Sequence, residues 1–362
     1  MTAGTAVRQT VSEEEGLLRA LEDSFEKTVK VSLLRQVATL PVIIERTIED
    51  IFAWEWASSY RDRVETVVRR YGAVLFRNFG LDTVAQFERF AEALSPGLYG
   101  SYGDLPKKEG GRNVYRSTPY PEREMILFHN ESSHLESWPR KQLFFCELPS
   151  PIGGATPLVD IREMLARLPV PVVDKFERKG LIYVRTFTGN LDVSWQEFFK
   201  TNDRGLVEER CRSLGTGFSW LDGDALQMRT FCPAVIRHPI TQDRAFFNQI
   251  QLHHPYCLGE EVREDLIDVF GLDRLPRTVT YGDGEPIEDE VMSIVGSTYE
   301  ECAVRFDWRK GDVVMLDNML TAHARDPYQG PRQIAVAMGD MTRRTDIWSA
   351  GDASEHAVQS RS

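Results

Sequence analysis

The feature that most constrains the fold is a series of short apolar runs that fills the chain from about Met125 onward. Turns rich in Gly, Pro and Asp separate these runs. Many short strands with turns between them are typical of a β-sandwich or barrel. We predict strands over Met125–Phe128, Gln142–Glu147, Thr156–Asp160, Leu181–Phe187, Ala234–His238, Ala245–Gln249, Cys302–Phe306, Asp312–Leu316 and Gln333–Asp340.

Helical patterns precede and interrupt this β-rich region. Ser12 to Glu15 fits a capping box, Ser followed three residues later by Glu, and Leu17, Leu18, Leu21 and Phe25 follow at helical spacing. The buried strand Gly72–Phe79 is also expected near the N-terminus. Further helices are predicted over Ile48–Arg70, Thr83–Leu94, Ile161–Leu168, Gln196–Thr201, Leu206–Leu214 and Glu260–Phe270.

No linker rich in Gly, Pro and Ser divides the middle of the chain, so we predict one main domain over residues 66–348. Residues 1–65 form an N-terminal helical extension, disordered over Met1–Val11, and residues 349–362 form a disordered tail. An insert around 191–229 carries several aromatic residues. They either pack into the core or form a helical lid over a substrate: Trp195, Phe198, Phe199, Phe218 and Trp220, together with Met228.

The charge balance excludes several classes of partner. The formal net charge is -12 and the pI is near 5.2, which argues against a general binder of nucleic acid or of anionic membranes. No apolar run of roughly 18 residues is present, so no transmembrane helix is expected. Five scattered cysteines without a CxxC pair suggest reduced thiols, and we expect a cytoplasmic protein.

The first candidate metal motif is His129-Asn130-Glu131, directly after an apolar strand. In an extended segment, residues two apart point to the same side. His129 and Glu131 can therefore offer a nitrogen and an oxygen to one metal ion. The alternative is a surface strand end that carries two polar side chains.

A second histidine would complete the facial triad of two His and one carboxylate that holds non-haem iron. His323 is the best candidate, because it follows a polar turn and an apolar strand, at a place where side chains reach the mouth of a barrel. The alternative is a hydrogen-bonded core histidine. His253 and His254 are rivals, although adjacent residues of a strand face opposite ways. His134 does not complete an HExxH pattern.

Two further features could hold a dicarboxylate. Gly153 and Gly154 mark a tight turn before the strand that carries Thr156, and Arg332 opens the last predicted strand. An arginine can pair with a carboxylate through two hydrogen bonds, and a threonine hydroxyl can donate a third. The alternatives are an exposed strand-end charge and a turn hydroxyl.

Taken in order, these positions resemble a known family. His129-x-Glu131, Gly-Gly-x-Thr156, His323 and Arg332 are similar in order and spacing to the taurine dioxygenase-like (TauD/TfdA) oxygenases dependent on iron(II) and 2-oxoglutarate. Each motif alone occurs by chance, whereas the ordered set is specific. Three phrases resemble most the subgroup that includes the syringomycin-pathway hydroxylase SyrP: Phe-His-Asn-Glu-x-Ser-His134, Phe247-Asn248-Gln249 and Asp-Asn318…Ala-His323…Gly-Pro-Arg332.

The resemblance implies a mainly β, clavaminate synthase-like fold: a double-stranded β-helix, or jelly roll, with flanking helices. It implies that His129, Glu131 and His323 bind Fe(II). It also implies that 2-oxoglutarate chelates the metal while its far carboxylate pairs with Arg332 and Thr156. Dioxygen would be the oxidant. Arg325, Arg343 and Arg344 remain alternatives for the arginine, since members of the wider family often place it further from the distal histidine.

The implied activity is hydroxylation of an unactivated carbon in a small amino-acid-like substrate, in natural-product biosynthesis. The substrate is either free or tethered to a peptidyl carrier protein. Desaturation, cyclisation and C–C cleavage use the same cofactors and stay open. So do a non-catalytic jelly-roll module and a zinc hydrolase, which would leave Arg332 and Thr156 without a purpose. Glu131 stands where related halogenases have a small residue, which predicts that no halide is transferred.

Overall fold

The computed structural model describes residues 15–34, 40–48, 50–100, 107–117, 120–189 and 193–347. The predicted capping box at Ser12, the disordered start Met1–Val11 and the tail 349–362 lie outside these residues. None of the helices in the described ranges is both long and apolar enough to cross a membrane.

Short strands outnumber helices along the described chain. The strands are β1 (Val29–Leu33), β2 (Val42–Arg46), β3 (Ala73–Arg77), β4 (Val114–Arg116), β5 (Ile126–His129), β6 (Ser137–Leu148), β7 (Ile152–Gly153), β8 (Leu158–Asp160), β9 (Leu181–Phe187), β10 (Gly217–Leu221), β11 (Ala225–Cys232), β12 (Val235–Arg237), β13 (Arg244–Phe246), β14 (Arg277–Tyr281), β15 (Val313–Asp317), β16 (Thr321–Arg325), β17 (Tyr328–Gln329) and β18 (Gln333–Arg343).

The helices form a smaller set. A helix over 15–24, named α1, is the first. The others are α2 (Ala53–Tyr71), α3 (Val84–Leu94), α4 (Ile161–Arg167), α5 (Val170–Lys179), α6 (Trp195–Phe199), α7 (Arg204–Ser213), α8 (Ile250–His253), α9 (Glu260–Phe270), α10 (Asp289–Cys302) and α11 (Arg344–Ile347).

The chain divides into two compact units. The first unit comprises Met1–Ile126, Pro139–Asp160 and Ala303–Thr342. Its main sheet has seven strands in the order β1-β2-β3-β15-β6-β18-β4. β2 and β3 run parallel, whereas β15 is antiparallel to both of its neighbours. Strands from the two ends of the sequence thus meet at the centre of one sheet.

The central strands of this sheet are buried on both faces. In β3, Val74 and Phe76 belong to one apolar cluster, which also contains buried residues of α2 and α3. Ala73 and Leu75 belong to a second cluster, which also contains Trp308. Side chains alternate along a strand, so each face needs its own apolar set. This explains why the segment reads as a continuous apolar run. Burying each large side chain contributes roughly 1.5–3 kcal/mol.

Smaller strand pairs of the first unit carry candidate site residues. β16 pairs antiparallel with β8, with His323 opposite Leu158. β17 pairs with β7, where Tyr328 lies opposite Gly153. The Gly153 backbone has φ +68°, and a Cβ there would clash with the Pro327 carbonyl oxygen. The turn that was predicted from the two glycines is therefore present, and it requires glycine.

The second unit comprises Leu127–Trp138, Ile161–Cys302 and Arg343–Ser362. It contains a sheet in the order β10-β11-β9-β14 and the hairpin β12-β13. Aromatic residues of the predicted insert pack together, because buried Trp195 and Phe199 share a cluster with Phe218 and Trp220. The insert contains the predicted helices and also the hairpin β10-β11, which the sequence analysis did not predict.

Several predicted elements differ from the structure. Cys302–Phe306 was predicted as a strand, but Cys302 ends α10 and only Val304 makes an isolated bridge, to Leu158. The helix predicted from Ile48 begins at Ala53. By contrast, β9 and α9 have the predicted bounds.

Candidate metal centre and anion pocket

Three side chains meet in an arrangement that could hold a metal ion. Within the described ranges, the group is His129, Glu131 and His323, and their ligand atoms all lie within 4.8 Å of one another. Both histidines are buried and the glutamate is half-buried. Two imidazoles and one carboxylate form the donor set of a facial triad, which suits non-haem iron(II) and leaves positions open for other ligands.

His129 is fixed by its own strand. It is the last residue of β5, and its Nδ1 lies 2.8 Å from the carbonyl oxygen of Leu127. A carbonyl only accepts, so Nδ1 carries a proton, and in the neutral imidazole Nε2 presents its lone pair. The preceding residue, Phe128, stacks on Tyr299 with ring centroids 5.0 Å apart, and its N–H donates to Gln251. The imidazole is therefore in the tautomer that a metal ligand requires.

Glu131 lies in a turn rather than in the extended segment that the sequence analysis assumed. Asn130 holds this turn. Its N–H donates to the carbonyl oxygen of Asn248, its side-chain oxygen accepts from the Asn248 N–H, and its carbonyl oxygen accepts from the Gln249 amide. The prediction that Glu131 accompanies His129 is consistent with the geometry, but the assumed alternation along a strand is not its cause.

His323 was predicted to lie just past a strand. It lies instead within β16. All five residues of β16 are buried. The imidazole packs against Phe144, with ring centroids 5.0 Å apart. Alternation along β16 puts Arg325 on the same face as His323.

Arg332 and Thr156 lie together, as predicted. The Arg332 guanidinium donates to the Gly154 carbonyl oxygen at 3.0 Å and to Thr156 Oγ1 at 3.4 Å. The indole N–H of Trp308 donates to the same Oγ1 at 3.1 Å. A Cβ at Gly154, where φ is +75°, would lie 3.0 Å from the Arg332 side chain. Glycine is therefore needed for this close approach.

A second arginine accompanies Arg332. Arg325 is buried, and its guanidinium donates to the carbonyl oxygens of Tyr120, Pro121 and Glu124. The two guanidinium groups lie 5.5 Å (Arg332) and 5.2 Å (Arg325) from the Tyr328 ring centroid. A pocket of about 680 Å³ opens here. It is lined by Lys108, Glu109, Arg116, Ser117, Tyr120, Glu147, Arg325, Tyr328, Arg332, Gln333 and Ile334.

The electrostatics of this pocket favour an anion. Burial, followed by the charge of Arg325, lowers the pKa of Arg332 to about 10. A guanidinium with that pKa is still charged at neutral pH, but it is less stable than in water. A bound carboxylate would remove this cost through a charge-assisted pair of hydrogen bonds.

The other candidate arginines are used differently. Arg344 donates to the carbonyl oxygens of Phe231 and Leu214 and contacts Cys232 in the second unit. Arg343 is exposed. Arg325 already donates from both terminal guanidinium nitrogens to backbone carbonyls. Among the four, Arg332 is the one that contacts Thr156.

The rival histidines have partners within the second unit. His253 ends α8, its Nδ1 lies 3.1 Å from the Gln249 carbonyl oxygen, and burial lowers its pKa to about 4. His254 lies 3.1 Å from the Ile287 carbonyl oxygen. His134 packs 4.9 Å from the His253 ring, and burial holds the pKa of His134 well below its usual value. None of the three belongs to the metal-compatible group found among the described residues.

Comparison with known proteins places the chain in a family. The model of the taurine catabolism dioxygenase TauD, TfdA family matches residues 42–338. The chain belongs to this family. It is a 2-oxoglutarate-dependent non-haem iron dioxygenase, and its cofactors are Fe(II), 2-oxoglutarate and dioxygen.

Two curated relatives match this TauD-family enzyme over most of the length of both chains. The dapdiamide synthesis protein DdaC of Enterobacter agglomerans is 32% identical over 295 residues, which is 81% of this chain and 88% of the relative. A clavaminate synthase-like protein of Arabidopsis thaliana is 29% identical over 287 residues, which is 76% of this chain and 83% of the relative.

A solved structure supports the jelly-roll prediction. PvcB of Pseudomonas aeruginosa, an Fe, alpha-ketoglutarate dependent oxygenase, matches with a TM-score of 0.51 and 15% identity. The match covers 87% of this chain and 94% of PvcB. The mixed sheets with flanking helices are therefore those of the jelly-roll oxygenases.

Proposed function

We propose that this TauD-family enzyme oxidises an unactivated carbon of a small amino-acid-like substrate in natural-product biosynthesis, by hydroxylation. The observation that carries the site assignment is the meeting of His129, Glu131 and His323 within 4.8 Å. The dapdiamide synthesis protein is 32% identical, which supports a role in the biosynthesis of an amino-acid-derived product.

The roles of the site residues follow from their chemistry. His129 and His323 offer imidazole nitrogens to Fe(II), and Glu131 offers a carboxylate oxygen. Iron bound there supplies the redox chemistry that couples decarboxylation of 2-oxoglutarate to oxidation of a substrate C–H bond. The backbone contact at Leu127 keeps the His129 proton on Nδ1, and the Asn130 contacts hold the turn that carries Glu131.

Arg332 and Thr156 bind the far carboxylate of 2-oxoglutarate in this proposal. Arg332 supplies the charge and Thr156 supplies a neutral hydroxyl, and the charged Arg325 favours an anion in the same pocket. A zinc hydrolase built on the same triad would give this pocket no purpose.

The substrate is either a free amino acid derivative or an aminoacyl group on a peptidyl carrier protein. Desaturation, cyclisation and C–C cleavage remain the alternative outcomes. We also assign the enzyme to the cytoplasm, because its five cysteines form no disulfide.

One experiment tests the proposal. The protein is reconstituted anaerobically with Fe(II) and 2-oxoglutarate, exposed to oxygen, and assayed for succinate with a panel of free amino acids and carrier-bound aminoacyl groups. We expect substrate-dependent succinate and a product heavier by one oxygen atom, labelled from oxygen gas. Zinc-dependent hydrolysis without succinate release would contradict the proposal.

A further inference from the structure

The hydroxyl of Thr156 has a constrained set of hydrogen bonds. Its oxygen accepts from the Trp308 indole N–H at 3.1 Å and from the Arg332 guanidinium at 3.4 Å. A hydroxyl oxygen has two acceptor lone pairs and one hydrogen to donate. Both acceptor positions are therefore occupied by groups that cannot accept in return.

The hydrogen of this hydroxyl has no acceptor in the described part of the chain. Thr156 is 3% exposed, so water does not freely replace a protein partner. A buried donor without an acceptor costs free energy. The arrangement is thus complete only when a ligand with a hydrogen-bond acceptor lies beside it.

Trp308 is held rigidly in the core of the first unit. It is 8% exposed, belongs to the apolar cluster that contains Leu75, and packs edge-on against Phe306 with ring centroids 4.9 Å apart. The indole N–H therefore points at Thr156 from a fixed position. Indole nitrogen donates only, so the direction of this hydrogen bond is not in doubt.

We infer that Trp308 is a positioning residue that, together with Arg332, turns the Thr156 hydroxyl hydrogen toward the far carboxylate of 2-oxoglutarate. In this way Trp308 selects a 2-oxo acid that ends in a second carboxylate. The inference rests on the proposed function, since it takes the Arg332 pocket as the site of that carboxylate. Trp308 thus sets the specificity for the cosubstrate without contacting it.

Trp308 affects both the direction and the polarity of the Thr156 O–H bond. Without the indole donor, one lone pair of Thr156 becomes available and the hydroxyl can rotate away from the ligand. The remaining chain of hydrogen bonds is also shorter, so the hydroxyl is less polarised as a donor. Both changes weaken binding of a carboxylate, and neither affects a methyl group in the same place.

The test compares two ligands of nearly the same shape in the Mn(II)-loaded protein by calorimetric titration. 2-Oxoglutarate ends in a carboxylate, and 2-oxopentanoate ends in a methyl group. We expect Trp308→Phe to raise the Kd for 2-oxoglutarate roughly fivefold, as for loss of one ordinary hydrogen bond. The Kd for 2-oxopentanoate and for Mn(II) should stay unchanged.

A double-mutant cycle identifies Thr156 as the intermediary. Thr156→Val removes the hydroxyl and should raise the Kd for 2-oxoglutarate. Adding Trp308→Phe to Thr156→Val should cause no further loss, because the hydroxyl that Trp308 orients is absent. Thr156→Ser retains the hydroxyl and should bind almost as well as the unaltered protein.

Stability is controlled separately. If Trp308→Phe does not fold, benzothienylalanine at position 308 replaces only the N–H by sulfur and retains the ring size. Equal weakening of both ligands, or additive losses in the cycle, would overturn the inference and leave the proposed function intact. If the unaltered protein binds Mn(II) but not 2-oxoglutarate, the assignment of the cosubstrate pocket fails as well.

Discussion

Buried ionisable groups differ between the two units. The first unit has the arginine pocket, which contains Arg332 and Arg325, and the second unit has the histidine cluster, His134 and His253. Arg332 and Arg325 keep their charges, although burial lowers the pKa of both. His134 and His253 are neutral at pH 7, because burial lowers the pKa of each below its usual value. A buried charge that is kept requires a counter-charge, whereas a neutral histidine requires only hydrogen-bond partners. The retained charges of Arg332 and Arg325 therefore favour binding of an anion in the arginine pocket.

The largest effect is expected when a histidine of the proposed metal centre, His129, is compared with a histidine of the second unit, His253. His129→Gln should abolish Fe(II)-dependent succinate release, because it removes one of the three proposed protein ligands. His253→Gln should retain metal binding, since His253 already contacts the Gln249 carbonyl oxygen. Metal content of the two variants, measured after anaerobic loading, checks the contrast. Turnover of His129→Gln at the unaltered rate would refute the triad, and His323→Ala and Glu131→Ala provide independent repeats.

The next effect concerns the two arginines. Arg332→Gln should raise the Kd for 2-oxoglutarate about 10- to 100-fold, because hydrogen bonds to charged groups contribute roughly 1.5–3 kcal/mol. Arg229→Gln, at an exposed position on β11, is the matched control and should leave the Kd unchanged.

A substitution at Arg325 distinguishes the effect of a nearby positive charge on 2-oxoglutarate binding from the effect of a direct contact. Arg325→Gln should raise the Kd for 2-oxoglutarate less than Arg332→Gln, since the guanidinium of Arg325 serves backbone carbonyls. If Arg325→Gln has the larger effect and Arg332→Gln has none, Arg325 is the carboxylate partner.

The histidine cluster should make stability depend on pH. The folded-state pKa of His253 is about 4 against a usual value of 6.5, so the unfolded chain binds more protons between these values. Stability contributed by His253 is fully present above pH 6.5 and is lost as pH falls toward 4, by roughly 3 kcal/mol. Urea unfolding from pH 8 to pH 4.5 measures this. His253→Gln should flatten the curve, and an unchanged slope would show that His253 does not cause it.

The smallest expected effect is that of halide. Glu131 would hold the metal where related halogenases have a small residue that leaves room for halide, so neither chloride nor bromide should appear in the product. Mass spectrometry of turnover mixtures at several halide concentrations checks this. A halogenated product from the unaltered protein would mean that Glu131 is not a metal ligand.

Sequence patterns predicted the strands that are buried on both faces. The predicted strands Gly72–Phe79 and Asp312–Leu316 contain the apolar runs Ala73–Phe76 and Val313–Leu316, because both faces of β3 and β15 are covered. β16 escaped detection, since Thr-Ala-His-Ala-Arg contains small and polar residues although all five are buried. Burial of such a segment depends on its neighbours, which local composition does not reveal.

The candidate site was predictable where it depends on residue order. Motifs along the chain identified the candidate residues His129, Glu131, Thr156, His323 and Arg332. The contact of Trp308 with Thr156 joins residues separated by 152 positions, so no local pattern contains it. The hydrogen bond from the Asn248 N–H to the Asn130 side chain also forms only on folding. Asn248 itself lies in Phe247-Asn248-Gln249, one of the motifs on which the resemblance to the family rests.

The position of β15 next to β3 has a consequence for biosynthesis of the chain. β3 pairs with β15, whose register sets Val313 opposite Phe76. While the ribosome is still adding residues before 313, β3 can pair with β2, but the backbone N–H and C=O groups on its other edge have no partner strand. Such exposed edges are prone to aggregation. Folding of the first unit therefore waits until the residues of β15 have been translated.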